Sequence, residues 1–478
     1  MAPNALNTHL ALAGFMGAGK TTLGEEVARR LRRRFIDLDR EIEKRGGATI
    51  EELFARDGEP GFRILEQSVA ESVLGDAEPA VIALGGGAVL STATRETLRK
   101  RAFTVLLEVD PSLAWKRTRE GGRPLAIDEG AFQTLFRERL PVYEETAQAH
   151  ARDADGIVLA AAGIDVRIGA VDLLDELVPG TGPVEIVADG NVAGIHGVTA
   201  QLALGDRDLA SHDVPPGEAA KAIAVLGRLW RALRIGRDGT IIGLGGGCTT
   251  DLAGFAAATY MRGVPWVAVP TTLVGQVDAA IGGKTAVDLP GGKNLVGAFH
   301  WPARVVIDPG LLETLPESEH RNGMAEVVKT GLLMNDPVWD LPLAELVRRC
   351  ASFKAAVCLA DPHDLGPRTQ LNLCHTFGHA LEAAAGYDLP HGQAVALGLL
   401  AALRLSGNDA ALATVRRQLD PQPVRVDRDV AWAALARDKK TVGDAPRLVL
   451  LERSGEPTWG NEIPVADVRA ALDSLIAD

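Results

Sequence analysis

The sequence predicts an α/β protein built from about three folding units. From Leu10 onward, short apolar runs alternate with helix-like stretches, which is the pattern of a parallel sheet flanked by helices. The length of 478 residues exceeds the roughly 150 residues of a typical single domain. Apolar residues form 46% and charged residues 24% of the chain, so a disordered or fibrous protein is excluded.

The first part of the chain contains four apolar runs that we expect to be strands. They lie at residues 10–13, 81–84, 103–107 and 156–159. A break rich in proline and glycine, residues 178–183, is followed at once by a new apolar run at residues 184–188. The main domain boundary is therefore expected at this break.

The second part also begins as α/β and then becomes helical. Apolar runs near residues 240–244, 266–270 and 305–307 are expected strands, each close to a glycine- or threonine-rich turn. After about Pro316, apolar and charged residues recur at helical spacing through Leu405, which predicts an all-helical third domain. The predicted domains are residues 1–178, 179–316 and 317–478.

Charge and composition exclude several kinds of partner. A net charge of −13 would repel a phosphate backbone, so we expect no nucleic acid. No uncharged apolar run approaches the roughly 20 residues that cross a bilayer, and the N-terminus lacks the basic start of a secretion signal. The four cysteines include no C-x-x-C pair, which fits a reducing cytoplasm. We therefore expect a cytoplasmic protein with no membrane step.

A phosphate-binding loop is the first chemical signature. Residues 14–21 read Gly-Phe-Met-Gly-Ala-Gly-Lys-Thr, which fits G-x-x-x-x-G-K-[ST] in full between an apolar strand and a helix-forming stretch. In such a loop the backbone N–H groups turn onto phosphate oxygens, Lys20 reaches the outer phosphates and Thr21 can hold Mg²⁺. The sequence therefore predicts a bound nucleotide.

Two carboxylates follow the next apolar run. Asp37 and Asp39 come directly after Phe35-Ile36, and side chains at i and i+2 on a strand end project to the same side. One carboxylate could serve the metal and the other an acceptor hydroxyl. Taken alone, the pair is also typical of a solvated strand end.

Further motifs make the first part resemble the shikimate kinase family over about residues 8–175. They are Phe62-Arg63-x-x-Glu66, Gly85-Gly-Gly87, Arg123-Pro-Leu125 and Arg139-x-x-x-Tyr143. The resemblance implies ATP-dependent 3-phosphorylation of shikimate, with Mg²⁺ held near Thr21 and Asp37. It implies shikimate contacts from Asp39, Arg63, Gly85, Gly86, Gly87 and Arg139. It implies nucleotide contacts from Gly14, Gly17, Gly19, Lys20, Thr21, Thr22 and Arg117. The catalytic residues would be Lys20, Asp39 and Arg123, the last on a lid that is short in this chain.

A metal site is indicated in the third domain. His375 and His379 are spaced i and i+4, His391 follows twelve residues later, and Glu326 lies upstream. Three such ligands with an open position are typical of a catalytic zinc. Two histidines hydrogen-bonded within a helix are the alternative interpretation of the H-x-x-x-H pair.

Glycine-rich turns and cations surround this metal motif. Gly243 to Asp251 follows an expected strand and is by itself a weak dinucleotide signal, and Val269-Pro-Thr-Thr272 offers a second turn that could hold a pyrophosphate. Several cations stand in glycine-rich loops, where a surface helix charge does not explain them. The full set of cations is Arg262, Lys284, Lys293, Lys329, Lys354, Arg368, Lys439 and Lys440. Such a pocket is expected to bind a polyanion.

These motifs resemble the 3-dehydroquinate synthase family across about residues 184–450. The resemblance implies NAD- and metal-dependent conversion of 3-deoxy-D-arabino-heptulosonate 7-phosphate to 3-dehydroquinate with release of phosphate, in a homodimer formed through this half. Zinc or cobalt would be held by Glu326, His375 and His391. NAD⁺ would contact Asp189, Glu218, Lys221, Gly246, Gly247, Asp251, Thr271, Thr272 and Thr314. The substrate would contact Arg262, Asp278, Lys284, Lys293, Asn294, Lys354, Arg368, Asn372, Lys439 and Lys440. The catalytic residues would be Lys284, Lys329, Lys354 and His379.

The combined expectation is a P-loop kinase domain followed by an NAD-binding α/β domain and a helical metal-binding domain. The segment 156–177 stands where synthases usually carry a hairpin and helix, so it is either shared between the two enzymes or the sheet edge is rebuilt. Two alternatives remain: a metal-dependent polyol or alcohol dehydrogenase in the second half, or one half that is a non-catalytic scaffold. A neutral alcohol has no use for the cations, and a degenerate scaffold would be expected to lose chemically demanding residues such as Lys20 and Glu326.

Overall fold

The structure is a computed structural model that describes residues 5–119, 128–290, 292–437, 441–442 and 445–477. The chain divides into two compact units. One comprises the residues up to Ile164 together with Ala355–Ala360, and the other comprises residues 165–354 and 361–478. Within the described residues, no helix combines the length and the apolar character that a membrane crossing requires.

The first unit is a five-stranded parallel sheet with helices packed against it. Its strands are β1 His9–Ala13, β2 Arg34–Asp37, β3 Ala80–Ala83, β4 Ala102–Leu107 and β5 Ala149–Ala151. The spatial order is β2-β3-β1-β4-β5, so β1 lies in the centre and all five of its residues are buried. Its helices are α1 Lys20–Arg30, α2 Leu38–Gly46, α3 Ile50–Leu74, α4 Thr92–Arg101, α5 Pro111–Arg119, α6 Glu129–Thr146 and α7 Ala154–Ala162.

The expected strand at residues 156–159 is wrong, because this run lies inside α7. Asp153 caps the helix by accepting a hydrogen bond from the Gly156 N–H at 2.8 Å, and Gly163 ends the helix with a φ of 72°. An alanine-rich run between an N-cap and a left-handed glycine favours a helix over a strand. The strand at this place, β6 Ile164–Val166, begins directly after the glycine.

The second unit contains a six-stranded sheet in the order β6-β13-β10-β9-β7-β8. The remaining strands of this sheet are β7 Val184–Asp189, β8 Leu209–Val214, β9 Thr240–Gly245, β10 Trp266–Pro270 and β13 Arg304–Ile307. The pairs β7 with β8, β7 with β9, β9 with β10 and β10 with β13 are parallel. A separate antiparallel hairpin consists of β11 Lys284–Leu289 and β12 Gly292–Phe299.

The remaining helices belong to the second unit, except that the last six residues of one of them, Ala355–Ala360, fall in the first unit. They are α8 Leu174–Leu177, α9 Gly190–Val192, α10 Val198–Leu202, α11 Ile223–Ala232, α12 Gly247–Thr259, α13 Glu317–Met334, α14 Leu343–Ala360, α15 His375–Ala384, α16 His391–Leu405, α17 Asp409–Leu419, α18 Arg428–Ala436 and α19 Val465–Asp473. The helical prediction after Pro316 is confirmed up to α18. An antiparallel sheet then follows, with strands β14 Thr441–Val442, β15 Ala445–Leu451 and β16 Pro457–Glu462, and the sequence reading missed it.

The segment 156–177 is divided between the two units. Helix α7 belongs to the first unit, whereas β6 forms an edge of the second sheet and the Arg167 N–H donates to the Ile307 carbonyl at 3.1 Å. Val171 and Leu174 are buried in the core of the second unit. The two compact units therefore meet along the chain before residue 178, where the sequence had placed the boundary. The division into three domains stays a prediction.

Candidate active sites

The loop between β1 and α1 has the geometry of a phosphate cradle. Gly14, Gly17 and Gly19 adopt φ values of 147°, 80° and 90°, which side chains rarely tolerate. A Cβ atom on Gly17 would lie 2.4 Å from the Ala114 carbonyl oxygen, so this position has no room for one. Lys20 folds back over the loop, where its ammonium donates to the carbonyls of Gly14 at 2.7 Å and Phe15 at 3.1 Å.

The two aspartates after β2 face different partners. Asp37 ends the strand, accepts the Thr21 hydroxyl at 2.7 Å and caps α2 by accepting the Asp39 N–H at 3.0 Å. The expectation that both carboxylates project from one strand end is wrong, because this cap starts the helix at Leu38 and turns Asp39 towards Gly85. Asp37 is thus placed beside Thr21, where a divalent cation could bind both oxygens, and Asp39 is placed beside the glycine run.

The side chains of Asp39, Arg63 and Glu66 converge on Gly85–Gly87. A Cβ atom on Gly85 would lie 2.8 Å from Asp39 Oδ1 and 2.9 Å from Glu66 Oε1. A Cβ atom on Gly87 would lie 2.0 Å from the Arg63 guanidinium, so the glycines leave the space that these side chains occupy. The Arg63 guanidinium pairs with Glu66 at 2.5 Å, and burial raises the pKa of the Glu66 carboxyl although Arg63 opposes this shift.

Two further residues from α6 reach the same glycine run. Arg139 and Tyr143 both donate to the Gly86 carbonyl, at 3.3 and 2.5 Å. Arg117 of α5 donates to the Gly17 carbonyl at 3.3 Å, so it lies at the phosphate cradle. Burial raises the pKa of the Tyr143 phenol to about 12, so it acts as a hydrogen-bond donor at neutral pH. Arg123 and its lid lie outside the described residues.

In the second unit, Glu326, His375 and His391 come together. One ligand atom from each lies within 4.8 Å of the others. Glu326 comes from the middle of α13, and the two histidines are the first residues of α15 and α16. Glu326 Oε1 lies 3.3 Å from His391 Nε2 and 3.9 Å from His375 Nε2. This set of one buried carboxylate and two partly exposed imidazoles fits a catalytic zinc or cobalt ion.

Two of the three side chains, Glu326 and His375, are in the charge state that a metal ligand needs. Burial and the neighbouring Lys329 hold the pKa of His375 well below its ordinary value, which leaves a neutral imidazole. Burial acts to raise the pKa of Glu326, but Lys329 and the two histidines hold it well below the ordinary value. Lys329 contacts the Glu326 carboxylate directly and donates to the Leu371 carbonyl at 3.1 Å. A carboxylate that stays charged and a neutral imidazole are the states that a metal requires.

Glu382, which the sequence reading missed, lies behind the metal cluster. Its Oε1 is 3.2 Å from His391 Nδ1, and the residue is 4% exposed. Burial lowers the pKa of His391, but hydrogen bonds to Glu326 and Glu382 outweigh this effect and raise it to about 10. Glu382 follows His375 by seven residues on the same helix, so helical periodicity could have found it.

A cavity of about 1150 Å³ opens at the carboxyl ends of the second sheet. All nine residues predicted for NAD⁺ line it: Asp189, Glu218, Lys221, Gly246, Gly247, Asp251, Thr271, Thr272 and Thr314. Helix α12 begins there at Gly247, and its N-cap residue Gly246 provides no side-chain cap, as expected for an anion site at a helix N-terminus. His379 and His391 line the same cavity, which places it beside the metal cluster.

Charged residues on the cavity wall are paired with one another. Lys221 lies 2.9 Å from Asp251, 3.6 Å from Glu218 and 3.8 Å from Asp288, and it also contacts Asn294. Burial acts to lower the pKa of Lys221, but these carboxylates outweigh it and raise the pKa, so the ammonium stays charged. Asp288, another residue that the sequence reading missed, also accepts the Asn294 N–H at 2.7 Å.

The other predicted substrate residues lie outside the lining of this cavity, as far as the structure describes them. Lys354 pairs with Asp278 at 2.5 Å, and Lys284 pairs with Asp364 at 2.6 Å. The buried Arg368 donates to the Gly282 carbonyl at 2.9 Å and the Pro362 carbonyl at 3.1 Å. Asn372 donates to the Thr369 carbonyl at 3.2 Å.

The predicted set contains three further cations. Arg262 is exposed with a φ of 67°. Lys439 and Lys440 lie outside the described residues. The substrate roles of the whole set therefore stay predictions.

The folds and sites define the class of protein as an enzyme with two active centres. One is a P-loop phosphotransferase, and the other is an α/β and helical unit in which a nucleotide cavity adjoins a His/His/Glu metal cluster. Family models agree: shikimate kinase matches residues 16–161, the 3-dehydroquinate synthase N-terminal domain matches residues 211–322, and its C-terminal domain matches residues 323–441.

Comparison with known proteins names the family. The bifunctional shikimate kinase/3-dehydroquinate synthase of Thermotoga maritima is 33% identical over 81% of this chain and 82% of its own length. The 3-dehydroquinate synthase of Opitutus terrae is 39% identical over 64% of this chain and 92% of its own. The chain belongs to the family of bifunctional shikimate kinase/3-dehydroquinate synthases, and both resemblances found in the sequence are confirmed.

A solved structure supports the second fold. The 2-epi-5-epi-valiolone synthase from Streptomyces hygroscopicus, solved with NAD⁺ and Zn²⁺ bound, is 26% identical with a TM-score of 0.58. The match covers 65% of this chain and 96% of that one. It spans a share of the chain close to that of the Opitutus terrae relative.

Proposed function

We propose that the first unit transfers the γ-phosphoryl group of ATP to the 3-hydroxyl of shikimate. The observation that carries this proposal is that Asp39 and Arg63 face the glycine run Gly85–Gly87 while Asp37 faces Thr21 at the phosphate cradle. Asp39 would orient the attacking hydroxyl, and the guanidinium groups of Arg63 and Arg139 would capture the carboxylate of shikimate in bidentate fashion.

The nucleotide would be held by the cradle. Backbone N–H groups of Gly14–Gly19 and the Lys20 ammonium would neutralise its phosphates, and Arg117 would lie near its adenine. Mg²⁺, held by Thr21 and Asp37, would supply further charge neutralisation when bound. The Lys20 ammonium must give up its hydrogen bonds to the carbonyls of Gly14 and Phe15 to reach the outer phosphates. It would therefore change its position when the nucleotide binds.

For the second unit, we propose conversion of 3-deoxy-D-arabino-heptulosonate 7-phosphate to 3-dehydroquinate with release of phosphate. The observation that carries this proposal is the convergence of Glu326, His375 and His391 beside the cavity lined by the nine predicted NAD⁺ residues. A zinc or cobalt ion held by these three side chains would act as a Lewis acid on a substrate oxygen. The nine cavity residues would hold NAD⁺, which would supply reversible hydride transfer when bound.

The chain's own residues would bind and orient the substrate and move its protons. His379 has its ring centroid 5.3 Å from that of His375, so it is close to the cluster and suited to acid and base steps. Lys329 keeps the Glu326 carboxylate charged, and Lys354, held at 2.5 Å by Asp278, offers a cation for an anionic substrate. Lys284, Lys293 and Arg368 add further positive charge, which a neutral polyol substrate would not need.

One experiment tests both activities. Purified protein is incubated separately with shikimate plus ATP and Mg²⁺, and with the heptulosonate phosphate plus NAD⁺, each with and without a metal chelator, while ADP and phosphate release are followed. Chelation should abolish phosphate release from the heptulosonate, and zinc or cobalt, but not Mg²⁺ alone, should restore it. Phosphate release that survives complete removal of transition metal would contradict the synthase proposal.

We also propose that the partner of the chain is a second copy of itself, joined through the synthase unit in the cytoplasm. Leu295, Val296 and Phe299 leave a row of partly exposed apolar side chains on β12, which supports a covered face. The structure has no disulfide among the described residues, which fits a reducing compartment. Sedimentation equilibrium should give twice the chain mass of 50.4 kDa, and a monomer at micromolar concentration would contradict the dimer.

A further inference from the structure

The turn between α15 and α16 holds a tyrosine in a costly backbone conformation. Tyr387 has a φ of 69°, and its N–H donates to the Glu382 carbonyl at 2.8 Å. The preceding Gly386, with a φ of 62°, adopts the left-handed region without cost, whereas a bulky residue there is strained. Such strain persists where the surrounding structure imposes it, and it is concentrated at functional sites.

The ring of Tyr387 lies over a cation of the cavity wall. The Lys293 ammonium is 4.7 Å from the ring centroid, and it also pairs with the Glu218 carboxylate at 3.0 Å. Tyr387, Lys293 and Glu218 all line the cavity. Because Tyr387 is 46% exposed, core packing does not account for its position. The ammonium is therefore held between a carboxylate and the face of an aromatic ring.

This contact joins two parts of the site that are distant in sequence. Lys293 comes from β12, whereas Tyr387 stands between Glu382 and His391, which belong to the metal cluster and its support. The turn thereby fixes the position of a cavity cation relative to the metal ligands. The Lys293 side chain is 27% exposed, and a rotation of this side chain would move its ammonium away from that position.

We propose that Tyr387 is a positioning residue of the synthase site, whose ring holds the Lys293 ammonium where an anionic substrate meets it. The inference rests on the proposed synthase function. The ring acts through Lys293, which would bind the substrate equally in the ground state and the transition state. Removing the ring should therefore raise KM and leave kcat nearly unchanged. An exposed or partly buried cation–π contact corresponds to a change of roughly 2- to 30-fold in binding.

The test uses the full chain with zinc and NAD⁺ and compares Tyr387→Phe, Tyr387→Leu and Tyr387→Gly. Tyr387→Leu should raise KM for the heptulosonate phosphate roughly 2- to 30-fold with kcat within about twofold, and Tyr387→Phe, which keeps a ring face, should restore KM. Tyr387→Gly should raise KM similarly while its melting temperature does not fall, because glycine relieves the strained φ. The melting temperature of the synthase transition checks that the unit carrying each variant is folded, and kinase activity checks the amount of intact chain.

Two further measurements isolate the contact with Lys293. In a Lys293→Gln background, Tyr387→Leu should change KM by less than about twofold, as expected when one residue acts through the other. Reductive methylation read by mass spectrometry should modify Lys293 faster in Tyr387→Leu than in the wild type. The more exposed Lys284 serves as the unchanged reference.

The outcomes separate the inference from the function beneath it. An active wild type in which Tyr387→Leu leaves both KM and the Lys293 methylation rate unchanged overturns the inference alone. The same holds if the rise in KM persists in full in the Lys293→Gln background. A wild type that releases no phosphate from the heptulosonate phosphate overturns the synthase function and, with it, the assignment of Tyr387 to that reaction.

Discussion

Replacing Glu382 by alanine should weaken metal binding by the synthase unit. The carboxylate accepts a hydrogen bond from His391 Nδ1 at 3.2 Å, and this contact fixes which ring nitrogen faces Glu326. A hydrogen bond to a charged group contributes about 1.5–3 kcal/mol. The distance of 3.2 Å is longer than the usual charged bond, so the lower half of that range applies. About 1.5–2 kcal/mol corresponds to a loss of roughly 10- to 30-fold in metal affinity.

The assay is a competition for zinc between the full chain and a chromogenic chelator of known affinity. Glu382→Gln is the matched control, because its amide oxygen keeps an acceptor for Nδ1–H without the charge, and it should lose affinity less than the alanine variant. An unchanged melting temperature of the synthase transition confirms that the unit carrying each variant is folded. A zinc affinity of Glu382→Ala within twofold of the wild type would refute the orienting role.

Three further outcomes are expected. Lys20→Ala should lower phosphoryl transfer by at least about a hundredfold and leave phosphate release from the heptulosonate phosphate intact; loss of both activities in the two assays would argue against separable sites. Gly87→Ala, whose Cβ would lie 2.0 Å from the Arg63 guanidinium, should displace that side chain and raise the KM for shikimate about tenfold in steady-state kinetics without changing the synthase reaction, and an unchanged KM would contradict it. In metal-free protein the pKa of His391 is raised from its ordinary value near 6.5 to about 10. The protonated ring therefore contributes its full stabilisation below pH 6.5, and this contribution is lost as the pH rises towards 10. Because the His391 side chain is 37% exposed, solvent screening reduces the expected loss of unfolding free energy to about 1–2 kcal/mol. A denaturation midpoint of the synthase transition that is higher at pH 9.5 than at pH 6.5 would contradict this prediction.

Local patterns predicted the parts of the fold that local chemistry determines. The P-loop spacing and its flanking apolar run located β1, the cradle and α1, and apolar runs located β7, β9 and β10. The run at residues 156–159 failed because composition alone does not distinguish a short buried strand from a buried helix. Its caps, Asp153 and Gly163, carried the signal that decided it.

Features that depend on long-range packing were harder to predict from the sequence. Strand β15 is stable because Leu448 and Leu450 pack in the same core as α16, and such a contact leaves no short-range pattern. The metal ligands were predicted from family motifs. Asp288 and Tyr387 were missed because their roles depend on partners distant in the sequence, about a hundred residues away for Tyr387 and Lys293. Glu382 lies close in sequence to its partner His391, and the helical spacing from His375 could have found it.

The short strand β6 bears on how this polypeptide could be separated into its two catalysts. Gly163 ends helix α7 of the kinase unit, and the next residue begins β6, an edge strand of the synthase sheet. No linker residues therefore separate these two elements at which the chain could be divided. A gene fragment that starts at residue 179 would remove β6, uncover the backbone of Ile307 and expose the apolar pocket that Val171 and Leu174 fill. A fragment that starts at or before Ile164 would keep this edge covered, and it is the fragment we expect to remain unaggregated when expressed alone.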